Sequence, residues 1–537
     1  MKKCILPLLV IITLTGCKGP KETASIPAPT IYDFTNTINL EGLKTDLTVL
    51  AHDSLHGRNT GSAGENSAAN FLANKYELLG LLPVGDNGTY FQKVELTQPI
   101  TNAYNYTISS IESEVVDKST HSANTIGSFR TWRSGEKELK GEIVFVGYGI
   151  KNEIANNFPD NAEGKWILAF YDGSNLRRIQ DEVTKSKAIG AILIIDTDEE
   201  SFIEFAKEEQ ASFGQAGRMS LTYLEKEVSL PNTINIVNPV IAAQLLGLAG
   251  VEDLNNLGQS LFEDPSGFEA SATGFVLEHK KDAPGQTVES KNIVALIEGS
   301  NPLLKDEVVV LSSHYDHLGV GRPDSTGDAI YNGADDDGSG TVGILHIAQA
   351  LISAKRAGAG PERSVLVLHV TGEEKGLLGS RYYSDHPIYP IENTIANLNL
   401  DMIGRRDIEH PDDGDYIYII GGKIISSGLD AMLQEANSES VNITLNDRYN
   451  DLNDPNQFYR RSDHWNFGRF GIPFAFFFNG VHEDYHRPSD EVDKIDFEAL
   501  TKRAQLIFVT TAKVANAIQR PKVDNEQFIK KTQEEPR

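Results

Sequence analysis

At 537 residues the chain is too long for one ordinary core, so two domains are the natural division. Its 40% hydrophobic and 23% charged residues are those of a soluble globular protein, and a formal charge of -27 excludes the electrostatic footprint of a nucleic-acid binder. Acidity alone names no substrate.

The chain opens with Lys2-Lys3, an apolar run from Ile5 to Leu14, and then Leu14-Thr15-Gly16-Cys17. This reads as an export signal, too short to span a bilayer as a mature helix. Its end resembles a bacterial lipobox. That resemblance implies cleavage before Cys17, lipid on that cysteine, and residues 18–30 as a polar tether to a membrane. The expected location is therefore outside the cytoplasm, lipid-anchored on the periplasmic or surface face of a bacterial outer membrane. The only other cysteine, Cys4, lies inside the signal, so the remaining body has no thiol for disulfides or thiolate metal sites. Its metal ligands must be nitrogen and oxygen. Loss of Lys2 and Lys3 takes the formal charge to -29, which repels anionic headgroups.

In the body, TGSAGENSAANFLANKYELLGL predicts a helix with Ser62 as N-cap, Gly80 at its end, and Ala69, Leu72, Tyr76 and Leu79 on one face. From about 131 to 255 the texture changes to short apolar strands (GEIVFVGYGI, KWILAFYDG, GAILIID) broken by glycines and acidic loops, which predicts an inserted β-rich domain. The flanking segments 31–130 and 256–520 form the main domain. From Asn292 onward strands and helices alternate: NIVALIEG, EVVVLSSH, a helix from Ser339 to about Ser353, SVLVLHVTGEE, ANLNLDMIG, DYIYIIGG and IPFAFFFNG. This predicts an α/β fold with a mostly parallel sheet flanked by helices. The polar segment 521–537 reads as a loose tail.

The polar chemistry falls just past the strands. EVVVLSS runs into His314-Tyr315-Asp316, SVLVLHVTG into Glu373-Glu374, ANLNL into Asp401, and the FAFFF strand leads to Tyr485-His486. Open α/β sheets gather sites outside the carboxyl ends of their strands. The fifth piece, GADDDGSG at 333–340, stands at a helix entry, where an Asp run alone would signify capping. Together these pieces crowd carboxylates into one place, which like-charge repulsion disfavours unless cations are present.

The pieces LAHDSLHGRNTGSAGE, SSHYDHLG, GADDDGSG, GEEKGLLGS, LNLDMIG, RSDHWNFGRFGIPF and DYHRPSD, in this order, closely resemble the metallopeptidases of family M28, the co-catalytic zinc aminopeptidases, in a version with an inserted protease-associated domain. The resemblance implies two zinc ions per chain, with cobalt or manganese as substitutes. It places His314 and His486 on the first zinc, Glu374 and Asp401 on the second, and Asp336 across both. It makes Glu373 the general base, Tyr485 a donor to the oxyanion and Arg461 a residue near the substrate. It also implies that Asp316 orients His314, that the Asp336-Asp337 bond is cis, and that Asp490 accompanies His486. Ligand carboxylates Asp336, Glu374 and Asp401 with one hydroxide carry four negative charges, which two divalent cations neutralise. The implied activity is removal of N-terminal residues from peptides with a free amino terminus. Alternatives are a carboxypeptidase or dipeptidase of the same type, or a noncatalytic binding lipoprotein.

Two rival readings fail on local grounds. His482-Glu483-Asp484-Tyr485-His486 satisfies H-E-x-x-H, but that motif needs a helix, and here a strand, Asn479-Gly480 and Pro488 leave little room for one. Gly338-Ser339-Gly340 lacks the spacing of a serine nucleophile elbow.

Overall fold

The computed structural model describes residues 28–134, 138–153, 155–195, 198–224 and 233–534. The expected export signal, Cys17 and most of the tether lie outside them. Among the described residues no helix is long and apolar enough to cross a membrane.

A helix α1 (Ala63–Leu79) begins where the Ser62 side chain accepts a hydrogen bond from the Glu65 amide and ends at Gly80 in the left-handed region. Strand β1 (Phe91–Pro99) follows. Beyond the inserted segment come β2 (Gly285–Ile297), β3 (Val308–His314), helix α2 (Gly340–Arg356), β4 (Ser364–Val370), β5 (Thr394–Leu400), β6 (Tyr416–Gly421), β7 (Phe474–Phe478) and helix α3 (Phe497–Asn516). One sheet has the order Thr444–Asn446, β6, β7, β5, β3, β4, β2, β1, Ser220–Leu221.

Its centre, β7-β5-β3-β4, is parallel. The pairs β6-β7, β4-β2 and β2-β1 are antiparallel, so the sheet is more mixed than the strand-helix alternation suggests. The reason lies in the connections: no crossover helix joins β1 to β2, whose linker is spent on a second sheet. The central strands are buried on both faces. In β3, Val309 and Leu311 pack with α2 and α3, while Val308 and Val310 face Tyr383 and Phe467 on the other side. Helix α2 is apolar nearly all round because it lies in the middle of its layer.

The strands of the second sheet run from Ala103 to Asp282, so it draws on chain at both sides of the 131–255 span. Ser271–Asp282 bridges Ala103–Ser110 and Glu138–Phe145, which recruits the flanking segments. Its inner strands from Glu138–Phe145 to Thr233–Val237 are parallel and carry helices on both faces. The segment beyond residue 520 is also held in place: a helix spans Glu526–Glu534, and Phe528, 1% exposed, packs on Trp465 and Phe474. One apolar anchor in a polar stretch is a weak signal by composition.

Candidate metal centre and active site

Because β3, β4, β5 and β7 run parallel, their carboxyl ends meet on one side of the sheet. His314 ends β3, Glu373 and Glu374 follow β4, Asp401 follows β5, and the turn-rich segment after β7 brings in Tyr485 and His486. The segment Ala334–Ser339 enters from the start of α2. At Gly340 an added Cβ would lie 2.4 Å from Asp337 Oδ1 and 2.5 Å from the Leu400 carbonyl oxygen, so glycine there lets the helix start close against β5.

Asp336 stands at the centre. Its Oδ1 is 3.1 Å from His314 Nε2 and its Oδ2 is 3.2 Å from His486 Nε2. His314 Nε2 also lies 3.6 Å from Asp401 Oδ1, and His486 Nε2 lies 3.4 Å from Glu374 Oε2. The residues thus form one donor set of His314 and Asp401 and another of His486 and Glu374, with Asp336 common to both. This corrects the expected pairing of His314 with His486 and of Glu374 with Asp401. Strand order is the cause: β3 and β5 are neighbours, so their ends put His314 beside Asp401, while the segment after β7 carries His486 across to Glu374.

His317 joins the second set. Its Nδ1 is 2.8 Å from Glu374 Oε1 and 3.9 Å from Asp336 Oδ2. These approaches are not aligned as hydrogen bonds: both ring nitrogens of the buried His317, Asp336 Oδ2 and Glu374 Oε1 have no hydrogen-bond partner. Bare buried polar atoms are costly, and here they cluster. His314, Asp336 and Asp401 each offer an atom within 4.8 Å of the others, as do His317, Asp336 and Glu374. Imidazole and carboxylate donors without thiols suit zinc and related divalent cations. The residues fit.

The electrostatics express the same crowding. Burial works against charge on His314, yet the Glu373 and Asp401 carboxylates raise its imidazole well above the usual range. Burial also opposes His486, but Asp336 and Glu374 push it up to about 10. Burial would raise Asp336, and His314 and His486 against its oxygens hold it well below the normal carboxylate range. Glu374 is held at about 2, where His317 and His486 outweigh burial and the neighbouring Asp336. Glu373 goes the other way. Burial, reinforced by Glu374, Asp463 and Asp401 against the pull of His314, drives its carboxyl well above the usual value.

The supporting residues differ in part from expectation. His314 Nδ1 lies 3.0 Å from the Asp316 carbonyl oxygen and 3.9 Å from its carboxylate. A carbonyl accepts only, so Nδ1 carries the proton and Nε2 is left to face Asp336. The Asp316 carboxylate instead accepts from Thr60 Oγ1 at 2.7 Å and the Glu373 amide at 3.2 Å. The Asp336-Asp337 bond is cis. Asp337 accepts from the amides of His314, Gly340 and Met402 and so ties two strand ends to the helix start. Asp490 does not reach His486; it accepts from the amides of Asp335 and Asp336 at 3.1 Å and holds the loop that presents Asp336.

His482 lies in a turn segment rather than a helix, and its Nε2 is 3.1 Å from Asp335 Oδ2, while Glu483 points to solvent. His482 therefore braces the Asp335 loop. His482→Ala is expected to retain bound metal and most turnover while losing about 1–3 kcal/mol of stability. Thermal unfolding together with metal content checks this, and loss of metal would restore the H-E-x-x-H reading.

Tyr485 stacks on His486 at 3.8 Å, and Arg461 lies over the Phe458 ring at 5.0 Å. Both line a pocket beside His314 and Asp401 whose other walls are Met402, Phe458, Phe476, Phe478 and Val481. Sequence reasoning did not single out His317, although a second histidine three places after His314 was a visible signal. It also missed Ser462, whose Oγ donates to Asp401 Oδ2 at 2.6 Å, and the buried Asp463, whose carboxyl burial pushes up to about 7. Arg58 was missed as well. This buried guanidinium donates to the carbonyls of Leu50, Tyr315, Asn332 and Gly333, and so fastens the His314 and Asp336 loops to the N-terminal segment.

Residues 292–511 match the profile of Peptidase family M28. That segment of the chain is similar to peptidase family M28. Among curated M28-like relatives, a probable leucine aminopeptidase of Arthroderma otae is 28% identical over 236 residues, covering 43% of this chain and 57% of that protein. Aminopeptidase YwaD of Bacillus subtilis is 25% identical over 393 residues, 72% of this chain and 74% of that one. The chain thus spans little more than half the length of the fungal relative. Among solved structures, the aminopeptidase from Aneurinibacillus sp. strain AM-1 aligns with 92% of this chain and 97% of its own, at 18% identity and a TM-score of 0.47.

Proposed function

We propose that this protein is a zinc-dependent aminopeptidase of the M28 type, with two metal ions per chain, that removes N-terminal residues from peptides. The observation that carries the reading is the pair of donor sets sharing Asp336, with Glu373 beside them and outside both. Relatives named as aminopeptidases support it.

His314, Asp336 and Asp401 would hold one cation, and Asp336 and Glu374 with His486 and the adjoining His317 the other. Bound there, the pair would supply Lewis acidity that polarises the scissile carbonyl and makes water a better nucleophile. Glu373 takes the proton of the attacking water and passes it to the departing amine, a task suited to a carboxyl whose proton affinity is already raised. Burial, then the surrounding carboxylates, raise the Tyr485 phenol, so it remains an O–H donor for the carbonyl oxygen at neutral pH. The apolar pocket of Met402, Phe458, Phe476 and Phe478 receives the first side chain. Export and lipid attachment at Cys17, and the identity of the inserted unit as a protease-associated domain, belong to the same proposal.

A peptide panel with free and acetylated amino termini, assayed with and without chelator, tests the reading. Free termini should be cleaved, acetylated ones at least about 100-fold more slowly, and chelator should abolish both rates. Equal cleavage of acetylated peptides removes the aminopeptidase assignment, and bound metal without any turnover favours a binding protein.

A further inference from the structure

Between the metal centre and the inserted segment runs a cleft of about 930 Å³. Glu373 and Arg461 line both this cleft and the apolar pocket, so the reacting bond lies where the two meet. With the first side chain in the apolar pocket, the rest of the peptide has the cleft as its path.

The cleft is charged opposite to the chain. Against a formal charge of -27, its walls carry Arg218, Lys375, Arg460 and Arg461, and among the described residues its only carboxylates are Glu373 and Glu374 at the metal end. Among the described residues, no carboxylate lies within 4 Å of the charged groups of Arg218, Lys375 or Arg461. Arg218 comes from the inserted segment and reaches across the cleft; its Nη2 is 2.8 Å from where a Cβ on Gly376 would be. A second chain segment thus brings a cation to the loop bearing Glu373. Cations gathered in a concave site within an acidic protein focus a local field for an anion.

We propose that this cleft binds a carboxylate on the leaving side of the substrate, either the C-terminus of a short peptide or an acidic side chain beyond the cleaved bond. The proposal rests on the aminopeptidase reading and adds selectivity for anionic leaving fragments. Arg218 and Lys375 act here as specificity determinants.

The test uses the full zinc-loaded chain with Leu-p-nitroanilide, Leu-Gly-Gly, Leu-Gly-Gly amide and Leu-Gly-Glu amide. At low ionic strength kcat/KM for Leu-Gly-Gly should exceed that for its amide by about tenfold, and added salt should narrow the gap. Arg218→Ala and, independently, Lys375→Ala should each reduce that ratio to about threefold or less. The ratio is taken within one sample, and anilide turnover in it reports that the variant is folded and loaded. Preference for Leu-Gly-Glu amide over Leu-Gly-Gly amide extends the site to acidic side chains, while its absence confines the site to the terminal carboxylate. Anilide turnover with a ratio of one in the unaltered enzyme overturns the cleft proposal and leaves the aminopeptidase reading standing. No turnover of any substrate overturns both.

Discussion

Glu373→Gln is expected to lower peptide hydrolysis by about 10³-fold while the bound metal stays in place. Glu373 Oε2 lies 4.0 Å from His314 Nε2, farther than Asp336 or Asp401 from the same nitrogen, and Glu373 belongs to neither donor set. The substitution keeps its shape and its backbone amide bond to Asp316 but removes the group that accepts and returns a proton. Metal analysis beside a steady-state rate separates the outcomes. Undiminished turnover would refute the base assignment, and loss of metal would make Glu373 a ligand.

Asp336→Ala should produce the opposite pattern, losing metal and activity together, with rates reduced by about 10⁴-fold or more. Among the described residues Asp336 is the only carboxylate within 4 Å of both His314 and His486, so one truncation strips both donor sets of a member. The remaining carboxylates, Asp401 and Glu374, each serve one side. Equilibrium dialysis against zinc, followed by a rate measurement at saturating zinc, provides the check. A variant that still binds a full complement would show that Asp336 is a structural residue and not a shared donor.

Much of this was legible because β3, β4, β5 and β7 are largely apolar and buried along their whole length, and each leads to polar residues at or just past its end. Which residue shares a donor set with which was not legible. That depends on β5 lying next to β3, and sheet order is a property of long-range pairing that chain order does not state. Asp316 does hold the His314 imidazole, but which of its groups does so was not legible, since its carbonyl and carboxylate compete for the same ring nitrogen and only the local turn decides. His317 escaped notice because it follows the strand, where no periodicity marks burial. The antiparallel flank formed by β1 and β2 reflects a connection through the second sheet rather than any feature of either strand.

Arg58 sets a limit on dissection of the molecule. Its guanidinium satisfies carbonyl groups at Tyr315, Asn332 and Gly333, more than 250 residues downstream; without the upstream chain the Tyr315 and Asn332 carbonyls would lose this donor, while Gly333 would keep the Gly338 amide. The stretch that matches the family is therefore not a self-sufficient folding unit, and the smallest autonomous version of the protein must include the piece of backbone made long before it during synthesis.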